Sequence, residues 1–97
     1  MRLLLVCAGG MSTSMLMRKL KIYAGEKGID FDVKACGSTE LKNADGFDVV
    51  LLGPQISYQK DTLKKRLGSV PIDVIPMRDY GMANCENIFK QIHGLLA

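Results

Sequence analysis

Two stretches of this chain, Leu3-Leu4-Leu5-Val6-Cys7 and Phe47-Asp48-Val49-Val50-Leu51-Leu52, are almost continuously apolar over the length of a strand. A strand with one wet face alternates apolar and polar residues, whereas a strand covered on both faces does not. Both stretches therefore require cover on two sides, which points to a parallel sheet sandwiched between helices. Two other stretches alternate. Ile29, Phe31, Val33 and Ala35 are interleaved with Asp30, Asp32 and Lys34, and Ile72, Val74 and Ile75 flank an outward Asp73 between Pro71 and Pro76. These read as half-exposed edge strands.

Helical signals separate the strands. After the first, Ser12, Thr13 and Ser14 can cap a helix that places Leu16, Leu20, Tyr23 and Ala24 on one stripe and ends at Gly28. Its Arg18, Lys19 and Lys21 face outward. Cys36-Gly37-Ser38-Thr39 turns the chain, and Glu40 to Asp45 is a short helical or irregular connection. A helix from about Ile56 or Ser57 to Leu67 turns Leu63 and Leu67 inward. It carries Lys64-Lys65-Arg66 near its C-terminal end, where cations suit the dipole, and stops at Gly68. Asn84 can cap a last helix with Cys85, Ile88, Phe89, Ile92 and Leu96 on one face. The resulting βαβαβαβα pattern has two central and two edge strands. With right-handed crossovers, the order 2-1-3-4 satisfies both conditions. The expected fold class is α/β: one open four-stranded parallel sheet, order 2-1-3-4, with helices on both faces.

In such a sheet the chain reverses direction between strands 1 and 3, and ligands bind at the carboxyl ends beside that switch point. The loops there are Cys7 to Ser14 and Gly53 to Tyr58, and Asp79 to Met82 lies one strand further along the rim. The first loop is the informative one. A strand ends at a thiol, crosses Gly9 and Gly10, and enters a helix through hydroxyl residues. Backbone N–H groups and a helix N-terminus then converge on one spot, a ready anion site. A thiolate is a good phosphoryl acceptor, and helix N-termini favour that form. Backbone N–H groups from Ala8, Gly9, Gly10, Met11, Ser12, Thr13 and Ser14 can hold the transferred group, with the three hydroxyls adding donors. The competing reading makes Cys7 a small apolar residue at a strand end. Cys36 also ends a strand before Gly-Ser-Thr, but on an edge and before a weaker helix signal, which favours a structural thiol. Cys85 reads as core.

Several classes are excluded. The 97 residues fit one domain. A net charge of +3 with 3 Phe, 3 Tyr and no Trp does not favour nucleic acid. No run approaches a membrane span and no signal-peptide pattern is present, so a cytoplasmic protein is expected. Three cysteines at irregular spacing make no disulfide framework, and one His without a Cys-x-x-Cys pair offers no zinc site. No carboxylate cluster suggests Mg²⁺ and no nucleotide P-loop sequence occurs, so neither a metal nor a cofactor is expected.

One absence carries information. A cysteine phosphatase closes its loop with an arginine in a Cys-x5-Arg pattern. Here that position is Thr13, and the next Arg is Arg18. Without the clamp, a phosphocysteine is made more easily than it is hydrolysed, which is a carrier's property. Asp79 on the rim could serve as a general acid, against a plainer reading as a solvated or capping residue. Met11, Met15 and Met82 suit a soft docking surface near the rim, and Met15 and Met82 suit core filling equally. His93 has no anion cradle and reads as a surface residue.

Cys7-Ala8-Gly9-Gly10-Met11-Ser12-Thr13-Ser14, Leu51-Leu52-Gly53-Pro54-Gln55 and Asp79-Tyr80-Gly81-Met82 together resemble the enzyme IIB component of the bacterial sugar phosphotransferase system (PTS), of the lactose/cellobiose (chitobiose) type. The resemblance spans essentially the whole chain, taken as one IIB domain over residues 1–97. It implies a fold similar to low-molecular-weight tyrosine phosphatases. It also implies a cytoplasmic phosphocarrier, in which Cys7 accepts a phosphoryl group from a phosphohistidine of the IIA protein. The group then passes to a sugar, a β-linked disaccharide such as cellobiose, chitobiose or lactose, bound by the membrane IIC permease. Ala8 to Ser14 would be the cradle, and Gln55, Tyr58, Asp79 and Tyr80 the rim that meets both partners. The chain itself would not insert in the membrane. Relatives often carry a polar residue directly after the cysteine, and Ala8 leaves only a backbone N–H there. The alternatives are a phosphatase-like hydrolase, a regulatory domain phosphorylated on Cys7, and a redox pair of Cys7 with Cys36.

Overall fold

The computed structural model describes residues 1–8 and 11–96. Four parallel strands, β1 (Arg2–Cys7), β2 (Asp32–Gly37), β3 (Val49–Leu52) and β4 (Ile72–Val74), form one sheet in the order β2-β1-β3-β4. That is the expected architecture and order. The helices are α1 (Met11–Glu26), α2 (Lys60–Leu67), α3 (Met77–Gly81) and α4 (Cys85–Leu96), and a 3₁₀ segment, Pro54–Gln59, leads into α2.

The two continuous apolar runs are the central strands, and each feeds two cores. Leu3, Leu5, Val49 and Leu51 face α1 and α4, where they meet Leu16, Leu20, Ile88, Phe89 and Ile92. Leu4, Val6, Val50 and Leu52 face the opposite side, against Leu41, Ile56 and Leu63. Each such side chain contributes about 1.5–3 kcal/mol on burial, against at most about 0.5 kcal/mol for an exposed helical pair such as Glu86–Lys90. The sheet, not surface charge, holds the fold. Phe89 joins the elements of the first core, stacking on Tyr23 of α1 and meeting Phe31 edge-on before β2.

The structure departs from expectation in several places, each for a packing reason. The β2–β3 crossover contains no helix. Residues 41–44 are irregular, and buried Leu41 plugs the second core from this segment with partly buried Ala44 packed against it. Strand β3 starts at Val49 because Asp48 bends away, its carboxylate accepting the Arg2 backbone N–H at 2.7 Å. The expected helix from 56 to 67 is split. Ile56, at φ −118° and ψ 26°, leaves helical geometry as its side chain enters the core, and regular α-helix begins only at Lys60. Residues 77–81 form a short helix where a loop was expected. Ala35 is exposed on the edge strand, and Leu96 is 43% exposed while Leu95 packs inward.

Asp73 does not simply face solvent. It accepts hydrogen bonds from Lys60 Nζ at 3.1 Å and Gln91 Nε2 at 3.0 Å, joining β4 to α2 and α4. Burial by itself would raise its pKa. The hydrogen bonds from Gln91, the Val74 backbone and Lys60 outweigh that, so the net shift is downward. A depressed folded-state pKa means that the unfolded chain binds the proton more readily. The stabilisation is complete above the ordinary aspartate value of about 3.9 and is lost as pH falls through the folded value. Urea titrations of Asp73→Asn between pH 7 and pH 3 are therefore expected to show a shallower acid decline than wild type. α1 ends in a left-handed Gly28 at φ +68°, with the Ile29 N–H reaching back to Ala24 O at 2.8 Å. Gly28→Ala is expected to cost about 1–2 kcal/mol from backbone conformation alone, since its Cβ would meet nothing within 4 Å. Gly25→Ala, one turn earlier and equally open, should stabilise by roughly 0.5–1 kcal/mol. Opposite signs in denaturation midpoints would bear out this reading.

Candidate active site

β1 ends at the centre of the sheet, flanked by β2 and β3, and delivers Cys7 to the carboxyl edge where the chain order reverses. The thiol is 7% exposed, and its Sγ lies 3.8 Å from the Cys36 carbonyl oxygen. The backbone around it is satisfied. Ser38 N–H donates to Cys7 O at 3.2 Å, and Gly53 N–H donates to Val6 O at 2.8 Å. These bonds tie the ends of all three strands together beneath the thiol.

Of the expected cradle, Ala8 and Ser14 are exposed and Thr13 is buried at 4% exposure. Gly9 and Gly10 lie outside the described residues, as do the side chains of Met11 and Ser12. α1 begins at Met11, so Ser12, Thr13 and Ser14 sit inside its first turn and not at the cap position expected for them. Thr13 makes a different bond: its Oγ1 and the Tyr80 hydroxyl are 3.1 Å apart. This pairing joins residues 67 apart in sequence, and no pattern in the chain signals it.

Tyr80 is drawn in further by Gly53. A Cβ placed on Gly53 would stand 3.8 Å from both Cys7 Cβ and Tyr80 Cε2, so Gly53 lies between these two residues. The same Cβ would meet Gln55 Oε1 at 2.9 Å, which places the exposed Gln55 beside them. Gly53 was visible in the sequence only as the end of a strand. A side chain there would keep ordinary contact distance from Cys7 and Tyr80 and would displace only the Gln55 amide.

The remaining rim residues separate. Tyr58 is 78% exposed, and its hydroxyl accepts from Gln59 Nε2. Asp79 is turned to a structural task. Its carboxylate accepts from Asn87 Nδ2 at 3.1 Å and its carbonyl from Asn84 N–H at 2.8 Å, tying α3 to α4. Asn84 also caps α4, its Oδ1 accepting from Asn87 N–H at 3.1 Å, as its sequence position suggested. Met15 and Met82 are exposed, at 55% and 67%, and so is Met77 at 73%. The core-filling reading of Met15 and Met82 is therefore set aside, and Met77 joins them on the surface.

The other thiols are not poised for chemistry. In parallel pairing Cys36 lies opposite Val6 and packs with it on the second core. Cys7 alternates with Val6 and so points to the other face. Two thiols on opposite faces of a sheet cannot form a disulfide without moving the backbone, which removes the redox pairing. Burial, with Glu40 and then Cys7 nearby, pushes the Cys36 thiol pKa up. Burial also raises that of Cys85, against the opposing effect of Lys19. Among the described residues no group of three or more His, Cys, Asp or Glu side chains could hold a metal ion, and no helix is long and apolar enough to cross a membrane.

Comparison with known proteins agrees with this geometry. Residues 2–91 match the family described as PTS system, Lactose/Cellobiose specific IIB subunit. The galactose-specific EIIB component of Lactococcus lactis subsp. cremoris (strain MG1363) is 36% identical over 100 residues, covering 95% of this chain and 93% of that protein. The oligo-beta-mannoside-specific EIIB component of Bacillus subtilis (strain 168) is 37% identical over 98 residues, covering 98% and 95%. The solution structure of the cellobiose-specific phosphotransferase IIB component from Borrelia burgdorferi superposes with a TM-score of 0.79 at 38% identity, over 99% of this chain and 91% of that one. The lactose-specific IIB domain of Streptococcus pneumoniae, at 16% identity and a TM-score of 0.74 over 93% and 95%, shares the fold. With the family match over residues 2–91 and near full-length similarity in agreement, the chain belongs to the lactose/cellobiose-specific IIB subunits of the sugar phosphotransferase system.

Proposed function

We propose that Cys7 is the phosphoryl acceptor of a two-step relay, and that residues 1–97 act as one IIB domain. The Cys7 thiolate attacks the phosphorus of a phosphohistidine on a IIA protein. The P–N bond breaks as the P–S bond forms, and the electron pair remains on the imidazole. A sugar hydroxyl, presented by a membrane IIC permease, then attacks the same phosphorus and the thiolate leaves. The site is cytoplasmic and approaches the membrane only through IIC. The relatives are named for cellobiose, galactose and oligo-beta-mannosides, and the sugar proposed here is a β-linked disaccharide of that range.

The observation that carries this reading is the position of the thiol. It stands at the carboxyl end of a central strand, at the switch point, four positions before Met11 opens a 16-residue helix. A helix N-terminus favours an anion by both its unpaired N–H groups and its dipole. Phosphoryl transfer is chiefly positioning and charge stabilisation, so backbone donors from Ala8 to Ser14 suffice without a metal. Thr13 in place of an arginine clamp leaves the phosphoryl charge less neutralised, which suits passing the group on. Gln55, Tyr58 and Tyr80, with the exposed methionines, form the rim that meets first one partner and then the other. Such contacts should be small and transient.

Incubation with histidine-phosphorylated IIA should label wild type on cysteine and leave Cys7→Ser without cysteine-linked phosphate. Cys36→Ser and Cys85→Ser should label as wild type does. Cysteine-linked phosphate retained on the Cys7→Ser protein, or loss of label in Cys36→Ser, would move the acceptor elsewhere. Hydrolysis of an aryl phosphate by the same protein should be negligible beside transfer.

A further inference from the structure

We propose that the outer edge of β2 is a self-pairing surface for a second copy of this chain, and that Asp32 and Lys34 keep it closed. The proposal is independent of the role assigned to Cys7.

The sheet has two edges, and they are finished differently. Along a parallel strand, backbone groups point alternately to one side and the other. Asp32 N–H reaches Met1 O at 2.9 Å, and Ser38 N–H reaches Cys7 O at 3.2 Å. Even-numbered residues of β2 therefore face β1, and Val33, Ala35 and Gly37 turn their backbone groups outward. At β4, Ile75 N–H reaches Leu52 O at 2.9 Å, which leaves Val74 facing outward. Both of its groups are taken. Its N–H donates to Asp73 Oδ1 and its carbonyl accepts from Gln91 Nε2, each at 2.8 Å.

β2 is closed only in part. Val33 N–H donates to Asp32 Oδ1 at 3.0 Å, the same device as at Asp73. Gly37 O accepts from Glu40 N–H at 3.1 Å, where the turn ends the strand. Between these two bonds, the Val33 carbonyl and both backbone groups of Ala35 have no partner among the described residues. Asp32, Lys34 and Ala35 are exposed.

These groups fit one register with a second copy. Two antiparallel β2 strands related by a two-fold axis at Lys34 set Val33 of one copy opposite Ala35 of the other. Each such pair exchanges two N–H···O=C bonds. The strand is thus complementary to itself, and because Val74 on β4 is occupied, pairing stops at a dimer. Both guards act on this register. Asp32 withholds the Val33 N–H, one of the two donors that each copy needs. Lys34 meets its own counterpart across the axis, and like charges directly opposite one another oppose pairing.

Lys34→Cys reads the register directly. The Cα atoms of an opposed, non-hydrogen-bonded pair lie about 4.5 Å apart, within the span of a disulfide. Oxidative crosslinking of Lys34→Cys is compared alone, with Asp32→Ala and with Asp32→Asn, and the joined peptides are identified by mass spectrometry. Asp32→Ala should speed crosslinking between the two copies of position 34 by about tenfold or more, as expected when an N–H held by a charged acceptor is released in each copy. Asp32→Asn keeps an acceptor oxygen and should stay near the rate of Lys34→Cys alone. In sedimentation equilibrium, Lys34→Thr and Asp32→Ala should each favour dimer over wild type, and the double variant should favour it most. Equal crosslinking with and without Asp32→Ala, crosslinks that avoid position 34, or Asp32→Asn associating as strongly as Asp32→Ala would each overturn the proposal. So would unchanged association in Lys34→Thr, or assembly that continues past the dimer.

Discussion

Everything at the site depends on β1 and β3 lying side by side while both are buried on two faces. Leu3, Val6 and Val49 through Leu52 have essentially no solvent exposure. Parallel neighbours cannot be joined by a tight turn, so each connection must cross a face of the sheet. Here β1 is followed by α1 on one face, and the return to β3 passes through β2. That path leaves the ends of β1 and β3 adjacent, with chain leaving them in opposite directions. Cys7 owes its position to this arrangement before any property of its loop is considered.

The second face is covered more economically than the first. α1 and α4 pack on one side with an aromatic cluster around Phe89. On the other side only the 3₁₀ segment and α2 are helical, and Leu41 from an irregular stretch completes the cover. One buried leucine does there what a helix would otherwise do, because the edge strand β2 needs cover over a small area. Gln91 completes the frame at the opposite edge. Its amide N–H groups reach Asp73 and the Val74 carbonyl, while its own oxygen is buried without a partner in the described structure. An orphaned acceptor costs about 1–3 kcal/mol, comparable to what the two donated bonds return, so the cross-link orients β4 against α4 more than it stabilises the fold.

At the site, too, some of the rim belongs to the frame. Asp79, read at first as a candidate acid on the rim, belongs to the frame and joins α3 to α4. Tyr80 stands on that frame and reaches α1. A phosphocarrier must hold a group firmly enough to exclude water and loosely enough to release it. Thr13, at the position where a cysteine phosphatase carries its arginine, suits the carrier role proposed for Cys7.

The strands, their order and the place of Cys7 at a central strand end were legible in the sequence. They follow from periodicity and from local spacing, and both are properties of neighbouring residues. The unbroken apolar run before Cys7 sufficed to make it a central strand end. What only the tertiary structure decided involves residues far apart in the chain. The bend at Asp48 comes with its bond to Arg2, and the kink at Ile56 comes from the core. The Thr13–Tyr80 pair and the place of Gly53 between Cys7 and Tyr80 are likewise absent from any local pattern. Periodicity reports which face of an element is buried. It does not report which distant side chain will arrive there, because that is set by how finished elements pack.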